Sequence, residues 1–165
     1  MRRVVVTGLG LVTPLGCGVK PSWDGITSAR SGISAITRID VSDIPAKIAG
    51  QVPRGTEAGQ FNADNFIEPK EQKKMDDFIH FAIGAASQAV EDSGWTPATD
   101  EQRERTGVLM GSGIGGLPLI EETVLEIKEK GTRRVSPFFI PACLINLISG
   151  QISIKYGFQG PNHSV

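Results

Sequence analysis

The sequence is poor in the residues that usually reveal a metalloprotein or a disulfide-rich protein. Its 165 residues include two cysteines and two histidines, far apart along the chain, and one tyrosine. Two cysteines form no disulfide framework, and the scattered Cys and His residues do not have the spacing of a closed metal site. We therefore predict a protein without a metal ion or other cofactor.

An excess of one charge and long apolar runs are missing as well. The net charge is -1 at pH 7, so the chain has no general attraction to nucleic acid or to an anionic membrane surface. The basic start Met1-Arg2-Arg3 leads into a short run of valines, too short for a signal peptide or a transmembrane helix. We expect neither nucleic acid nor membrane among the partners, and a cytoplasmic location.

Apolar strand-like runs and helical patterns alternate along the chain, which indicates the α/β class. The predicted elements of the first and middle parts are a strand at 4–7, a helix near 21–28, an irregular excursion at 32–66 with one edge strand near 46–52, a strand at 106–110 and a helix at 117–130.

Two further helices are unusually apolar. The first covers residues 69–93, is rich in alanine, and is bounded by Pro69 and Gly94; the second covers 141–156 and ends at Gly157. Proline suits the first helical position and glycine the residue after the last. Small side chains allow close packing, and a helix that is apolar nearly all round is normally buried on several sides. We predict that both helices lie between layers of the fold.

The final residues, 160–165, predict the start of a strand that the chain does not complete. Chemistry in α/β proteins is usually placed at the carboxyl ends of strands. We therefore expect this chain to be a front half, which holds a pocket and a docking surface, and the reacting group to follow Val165.

A glycine-rich segment, Gly111-x-Gly113-x-x-Gly116, follows a predicted strand, precedes a helix and matches the dinucleotide-binding fingerprint. That fingerprint also needs a second strand ending in an acidic residue that holds a ribose hydroxyl. Residues 131–137 do not form such a strand. We favour two other interpretations over nucleotide binding: close backbone packing at these glycines, or a loop that lines a substrate.

The cysteines and histidines do not form an evident nucleophile and base. Cys17 lies in a glycine-flanked loop, and Cys143 lies in an apolar helical run where a thiol usually packs as a small hydrophobe. His80 belongs to the alanine-rich helix and His163 to the final strand. Because nothing in the sequence pairs them, we favour packing and surface roles over catalysis.

Two basic clusters interrupt an otherwise balanced charge pattern. Lys70, Lys73 and Lys74 share one helical face, and Arg133 and Arg134 form a second positive pair. Such residues commonly form a solvated face. They are also suited to steering an acidic partner, at rates that fall with salt.

Five segments together resemble, in order, the beta-ketoacyl-acyl carrier protein synthases, most closely the elongating type II enzyme of bacterial fatty acid synthesis. These segments are residues 4–16, 70–76, 111–116, 136–141 and 156–161. Each motif alone is weak evidence. Five motifs in the same order cover the whole chain and are far more specific.

The resemblance implies a thiolase-like fold of alternating α-β-α-β-α layers and a homodimer. Residues 1–165 would be the N-terminal part of the first domain, with the second domain absent. In this family a cysteine at the N-terminus of a buried helix attacks an acyl thioester, and two histidines from the second half promote decarboxylation of malonyl carrier protein. The nucleophile follows the Gly-Pro segment, here Gly160-Pro161, so we expect no catalytic residue within this chain.

The resemblance also implies roles for individual residues. Ile114 is expected at the floor of the acyl pocket, and Phe139 in its wall, contributed across the dimer interface. The basic surface that meets the acidic acyl carrier protein would be formed by Lys70, Lys73, Lys74, Arg133 and Arg134. Cys143 and His163 match no catalytic position.

Two other functions stay open at this point. The chain could belong to a non-catalytic relative that shapes a pocket, serves as a scaffold or acts as a chain-length partner subunit. A dinucleotide-binding module is the third alternative.

Overall fold

The computed structural model describes residues 3–165 and divides them into two compact units. Met1 and Arg2, which belong to the basic start considered above, lie outside the described residues. Unit 1 comprises the described residues up to Asn62 together with Gly84–Gly94, and unit 2 comprises Ala63–Ile83 and Trp95–Val165. Helices and strands occur in both units, as the predicted α/β class requires.

Unit 1 contains two short antiparallel strand pairs and a helix. Strand β1 (Val12–Thr13) pairs with β2 (Gly16–Cys17), helix α1 spans Val19–Thr27, and β3 (Ile33–Ala35) pairs with β4 (Ile48–Gly50). Helix α1 and strand β4 confirm the helix predicted near 21–28 and the edge strand predicted near 46–52. The irregular excursion therefore contains a second strand, β3, that the sequence analysis did not identify.

The helix predicted over residues 69–93 is interrupted. Pro69 begins a short helix α2 (Pro69–Gln72), and α3 (Asp77–Ser93) starts after a turn. The physical reason lies at Asp76, whose carboxylate accepts a hydrogen bond from the Asp77 N–H and whose carbonyl accepts from Ile79. A side chain that binds the backbone locally favours a new helix start over continuation. The predicted end is confirmed, because Gly94 follows α3 with φ 64°.

The strand predicted at residues 4–7 is wrong. Residues 3–11 belong to no strand, and Val4 is 93% exposed. The Leu9 N–H instead donates to the Asp92 carboxylate (2.9 Å), and the Leu11 N–H donates to the Gln88 side chain (3.2 Å). The β-branched run has the composition of a buried strand, but no described strand lies beside it to complete a ladder.

Glycines make this contact with α3 possible. A Cβ atom added at Gly8 would collide with the carbonyl oxygen of Ala89, and one at Gly10 with that of Ala85. The segment before β1 therefore lies directly against the backbone of α3. This confirms the close packing that the alanine-rich composition predicted.

Unit 2 contains the remaining elements. They are α4 (Asp100–Glu104), β5 (Val108–Met110), α5 (Leu117–Lys130), α6 (Phe139–Cys143), α7 (Leu147–Tyr156) and β6 (Asn162–Ser164). Helix α5 has the predicted bounds. Strands β5 and β6 are parallel, with Val108 opposite Asn162 and Met110 opposite Ser164, so the predicted final strand is also confirmed.

The helix predicted at 141–156 is divided into α6 and α7. In a continuous helix the Cys143 carbonyl would accept from the N–H four residues later. It accepts instead from the Gly116 N–H, at 3.0 Å, while the Leu147 N–H donates to Leu144. Helix α7 then ends as predicted at Gly157, which has φ 67° in the left-handed region.

The buried apolar side chains of unit 2 belong to α3, β5, α6 and α7 and to the loops at residues 67 and 158. They are Ile67, Ile79, Ile83, Val108, Ala142, Cys143, Ile148, Ile152 and Phe158. Helix α7 buries Ile148 and Ile152, whereas Ile154 is 76% exposed. The expectation of burial on several sides is therefore not met within the described residues, because no described element covers the side of α7 that carries Ile154. None of the described helices combines the length and the apolar content needed to cross a bilayer.

Helix α4 offers a direct test of a local stabilising interaction. Thr99 and Gln102 form a reciprocal capping box, in which the Gln102 N–H donates to Thr99 Oγ1 (3.2 Å) and the Thr99 N–H donates to Gln102 Oε1 (3.2 Å). We predict that Thr99→Ala lowers the free energy of unfolding by about 1 kcal/mol, measured by chemical denaturation. Thr99→Ser should retain most of the stability, and equal losses in both variants would contradict the capping role.

Candidate functional site

The carboxyl edge of the β5–β6 pair is the candidate site. Because the two strands are parallel, both end at the same edge, where β5 continues into residues 111–116. The Ser112 N–H donates to the Val165 carbonyl (3.0 Å), so this loop lies against the end of β6. Ligands of open α/β sheets bind at carboxyl ends of strands. We call residues 111–116 the glycine loop.

Close packing accounts for glycine at the end of this loop. A Cβ atom added at Gly116 would lie 2.8 Å from both Asp76 Oδ2 and Cys143 Cα. The Gly116 N–H also donates to the Cys143 carbonyl (3.0 Å). These contacts confirm the close-packing interpretation of the glycine-rich motif.

The same contacts weigh against a phosphate site at the start of α5. A dinucleotide pyrophosphate binds the free N–H groups at a helix N-terminus. Here the Leu119 N–H, in the first turn of α5, already donates to the Asp76 carboxylate at 3.0 Å. A carboxylate at this position occupies a donor and repels an anion, so the structure gives no support to nucleotide binding.

Asp76 is the structural residue that sequence reasoning missed. Gly116 precedes α5 and has no side chain with which to cap it, so the cap comes from Asp76, far earlier in the chain. The Asp76 N–H donates in addition to the Ala142 carbonyl of α6 (3.3 Å). The available signal was the absence of Ser, Thr, Asp or Asn before the α5 pattern, because an uncapped helix start requires a partner from elsewhere.

The two predicted pocket residues lie on segments that the structure joins. Ile114 is in the glycine loop and is 68% exposed. Phe139 is the first residue of α6 and is half-buried. The hydrogen bond from Gly116 to Cys143 connects the loop that carries Ile114 with the last residue of the helix that carries Phe139.

A cavity of about 580 Å³ lies elsewhere in unit 2 and is lined by residues that include Phe66, Met75, Ile83 and Ile154. Neither Ile114 nor Phe139 belongs to its lining. We place the candidate site at the glycine loop because both parallel strands of the β5–β6 pair end there.

The predicted basic surface contains two kinds of side chain. Lys70 pairs with Glu68 (3.1 Å), which raises the pKa of Lys70, and Lys74 pairs with Glu71 (2.8 Å). Lys73, Arg133 and Arg134 are exposed and take part in no ion pair within residues 3–165.

Lys74 connects the two halves of this surface. Its ammonium lies 5.3 Å from the centre of the Phe138 ring, and Arg133 and Arg134 lie just before Phe138, in a single turn of 3-10 helix. The lysine segment therefore adjoins the segment that carries the arginines. The free positive charge of this surface is on Lys73, Arg133 and Arg134.

The cysteines and histidines have structural contacts. Burial raises the pKa of the Cys17 thiol, an effect that a hydrogen bond from Gln88 partly offsets. Cys143 is buried and its thiol contacts the Ile140 carbonyl. A ring nitrogen of His80 is 3.1 Å from the Gln72 carbonyl, and His163 is exposed in β6. Among residues 3–165, no group of three or more His, Cys, Asp or Glu side chains is arranged to hold a metal ion.

The chain is similar in sequence to a known protein family. The family model for the beta-ketoacyl synthase N-terminal domain matches residues 1–165. The chain is 52% identical over 166 residues to a 3-oxoacyl-[acyl-carrier-protein] synthase 2 of Rhizobium meliloti (strain 1021); the match covers 100% of this chain and 39% of that relative. The chain therefore spans about two fifths of the length of this curated relative.

Two solved structures share the fold. An ishigamide ketosynthase/chain length factor matches with a TM-score of 0.79 at 23% identity, over 99% of this chain and 40% of that one. A structure of a type II PKS acyl-carrier protein in complex with its ketosynthase matches with a TM-score of 0.73 at 23% identity, over 100% of this chain and 41% of that one. These matches confirm the predicted thiolase-like α/β fold class.

The environment of Cys17 predicts that its thiol is alkylated slowly near neutral pH. Alkylation requires the thiolate, and burial raises the pKa of Cys17 above its ordinary value of 9.0. The native alkylation rate should therefore rise at a higher pH than the rate of the same cysteine in denaturant, measured by mass spectrometry of the peptide that contains Cys17. A native profile at equal or lower pH would contradict this assignment.

Proposed function

This chain belongs to the beta-ketoacyl synthases, whose N-terminal domain model matches residues 1–165, and from that premise we propose that the protein elongates fatty acids by condensing an acyl thioester with malonyl-acyl carrier protein. The observation that carries the proposal is the 52% identity, over the whole chain, to a relative named 3-oxoacyl-[acyl-carrier-protein] synthase 2. Identity of this level, with the same order of motifs, supports a shared reaction.

The proposed reaction is a decarboxylative Claisen condensation. A cysteine thiolate attacks the acyl thioester and releases the carrier thiol. Malonyl carrier protein loses carbon dioxide to give an enolate, which attacks the acyl-cysteine carbonyl; the new carbon–carbon bond forms as the cysteine thiolate leaves. We assign the nucleophile and both histidines to the part of the protein beyond this chain, and no catalytic residue to residues 1–165.

The position of β6 supports this assignment. In the beta-ketoacyl synthases the nucleophile follows shortly after a Gly-Pro segment. In this chain that segment immediately precedes β6. Val165, the residue after β6, lies beside Ser112 at the glycine loop. A nucleophile close to that position would share the carboxyl edge of the sheet with Ile114.

The acyl chain, in this proposal, is received by Ile114 and Phe139. Ile114 is an exposed apolar side chain at the edge where the chemistry is proposed. Phe139 is proposed to act across a homodimer interface. Its neighbours Phe138 and Ile140 are 43% and 55% exposed, which gives α6 an apolar surface that a second copy would cover.

We propose the cytoplasm as the compartment. Both cysteines of the described chain are free thiols, Cys143 buried and Cys17 partly exposed. Proteins of oxidising compartments commonly use paired cysteines for stability. Free thiols fit a reducing compartment.

A direct assay tests the reaction. The complete enzyme, given acyl carrier protein thioesters and labelled malonyl carrier protein, should release carbon dioxide and form a 3-oxoacyl product. A protein that binds both carrier forms but neither acylates itself nor forms product would instead be the non-catalytic, chain-length type of relative.

Ile114→Phe should shorten the accepted acyl chain. The larger ring would fill space at the pocket floor, so kcat/KM for long acyl substrates should fall by about tenfold or more, while short substrates are retained. A competition assay over a series of acyl lengths measures this. Ile39→Phe is the control, because Ile39 is a similarly exposed isoleucine at 64% outside the helices and strands. An unchanged length profile in Ile114→Phe would remove the pocket role.

Charge reversal should separate docking from chemistry. We expect Lys73→Glu, alone and with Arg133→Glu, to raise KM for carrier-bound substrate several-fold, with a smaller effect at high salt. KM for a small acyl thioester should not change. Lys20→Glu is the control for charge reversal outside the basic surface, because Lys20 is exposed, although it pairs with Asp24 (2.6 Å). Equal increases of KM for both substrates would argue against carrier-protein docking.

A further inference from the structure

The glycine loop is held mainly at its two ends. At the first end, the Ser112 N–H donates to the Val165 carbonyl. At the second, the Gly116 N–H donates to the Cys143 carbonyl. Between them, a Cβ atom at Gly113 would meet nothing within 4 Å, and Ile114 is 68% exposed. The position of Ile114 therefore depends on how firmly these two ends are fixed.

Asp76 fixes the second end. Its Oδ2 atom accepts a hydrogen bond from Leu119 (3.0 Å) and would lie 2.8 Å from a Cβ at Gly116. A carboxylate bound to N–H groups at a helix N-terminus is stabilised by charge and by the helix dipole, more strongly than a neutral acceptor. Helix α5 has no side-chain cap from its own N-cap residue, Gly116.

The backbone of Asp76 also contacts the helix that carries Phe139. The backbone N–H donates to the Ala142 carbonyl in the last turn of α6 (3.3 Å), and the backbone carbonyl accepts from Ile79 at the start of α3 (3.0 Å). One residue thus joins the starts of α3 and α5 to the end of α6. Both side chains assigned to the acyl pocket, Ile114 and Phe139, lie on segments that Asp76 contacts.

We propose that Asp76 is a positioning residue for acyl-chain selection: its carboxylate holds the start of α5, and with it the glycine loop that carries Ile114, beside the α6 segment that its backbone N–H binds. This inference rests on the proposed condensing function. Without the carboxylate, the start of α5 loses its cap and Ile114 can move away from the pocket. Longer acyl groups should then be accepted better relative to short ones.

The test compares acyl-length profiles of the complete enzyme. Asp76→Ala should change the ratio of kcat/KM for long and short acyl carrier protein substrates by about tenfold in favour of the long one. Asp76→Asn keeps one oxygen acceptor and the size of the side chain, so it should give a smaller change in the same direction. If Asp76→Ala does not fold, Asp76→Asn decides the question.

Thr99→Ala separates positioning from general destabilisation. It removes a helix cap in the same unit of the structure, on α4, and should lower stability while leaving the length profile unchanged. An unaltered profile in folded Asp76 variants, or an equal change in Thr99→Ala, would overturn the inference. If the wild-type enzyme itself showed no condensing activity, the proposed function would be overturned instead. Failure of the Asp76 inference and failure of the proposed function therefore give different results.

Discussion

The hydrogen bonds of Asp76 hold together the region on which the candidate site depends. Its carboxylate binds the N–H groups of Asp77 and Leu119, and its own N–H binds Ala142. These groups belong to the ends of three helices, whose backbone donors and acceptors have no partner within their own helix. The carboxylate of one residue thereby serves the starts of two helices, and its backbone N–H serves the end of a third. The start of α3, the start of α5 and the end of α6 become one structural joint.

Elements bounded by local signals could be predicted, and elements shaped by distant contacts could not. Helix α5 has an apolar periodicity and a glycine at each end, so its bounds Leu117–Lys130 followed from the sequence. The division between α6 and α7 did not, because it depends on the Cys143 carbonyl binding the Gly116 N–H. The valines of residues 4–6 have strand composition but are exposed, and the chain that follows them packs against α3 through Gly8 and Gly10.

The candidate site shows the same distinction. Spacing alone identified the glycine loop, but it left close backbone packing and a substrate-lining loop as alternatives; the contacts of Gly116 with Asp76 and Cys143 required the fold. The roles of Ile114 and Phe139 came from resemblance, since nothing in their own sequence context distinguishes pocket residues from core. The sequence analysis treated all five basic residues of this surface alike. Lys74 is in fact paired with Glu71, which lies three residues before it, at 2.8 Å. That pairing was visible in the spacing, whereas the contact of Lys74 with Phe138 required the fold.

The parallel pairing of β5 with β6 has a consequence for folding during synthesis. Val108 pairs with Asn162. The ribosome therefore synthesises three helices after β5 before it completes β6, the partner strand. Pairing between distant segments is slow because the intervening chain must be ordered first. An apolar strand edge, with Leu109 67% exposed even in the paired state, therefore remains uncovered on the ribosome for the whole of that interval. Residues 108–110 therefore add an exposed apolar segment to the nascent chain, which favours aggregation until β6 has been made.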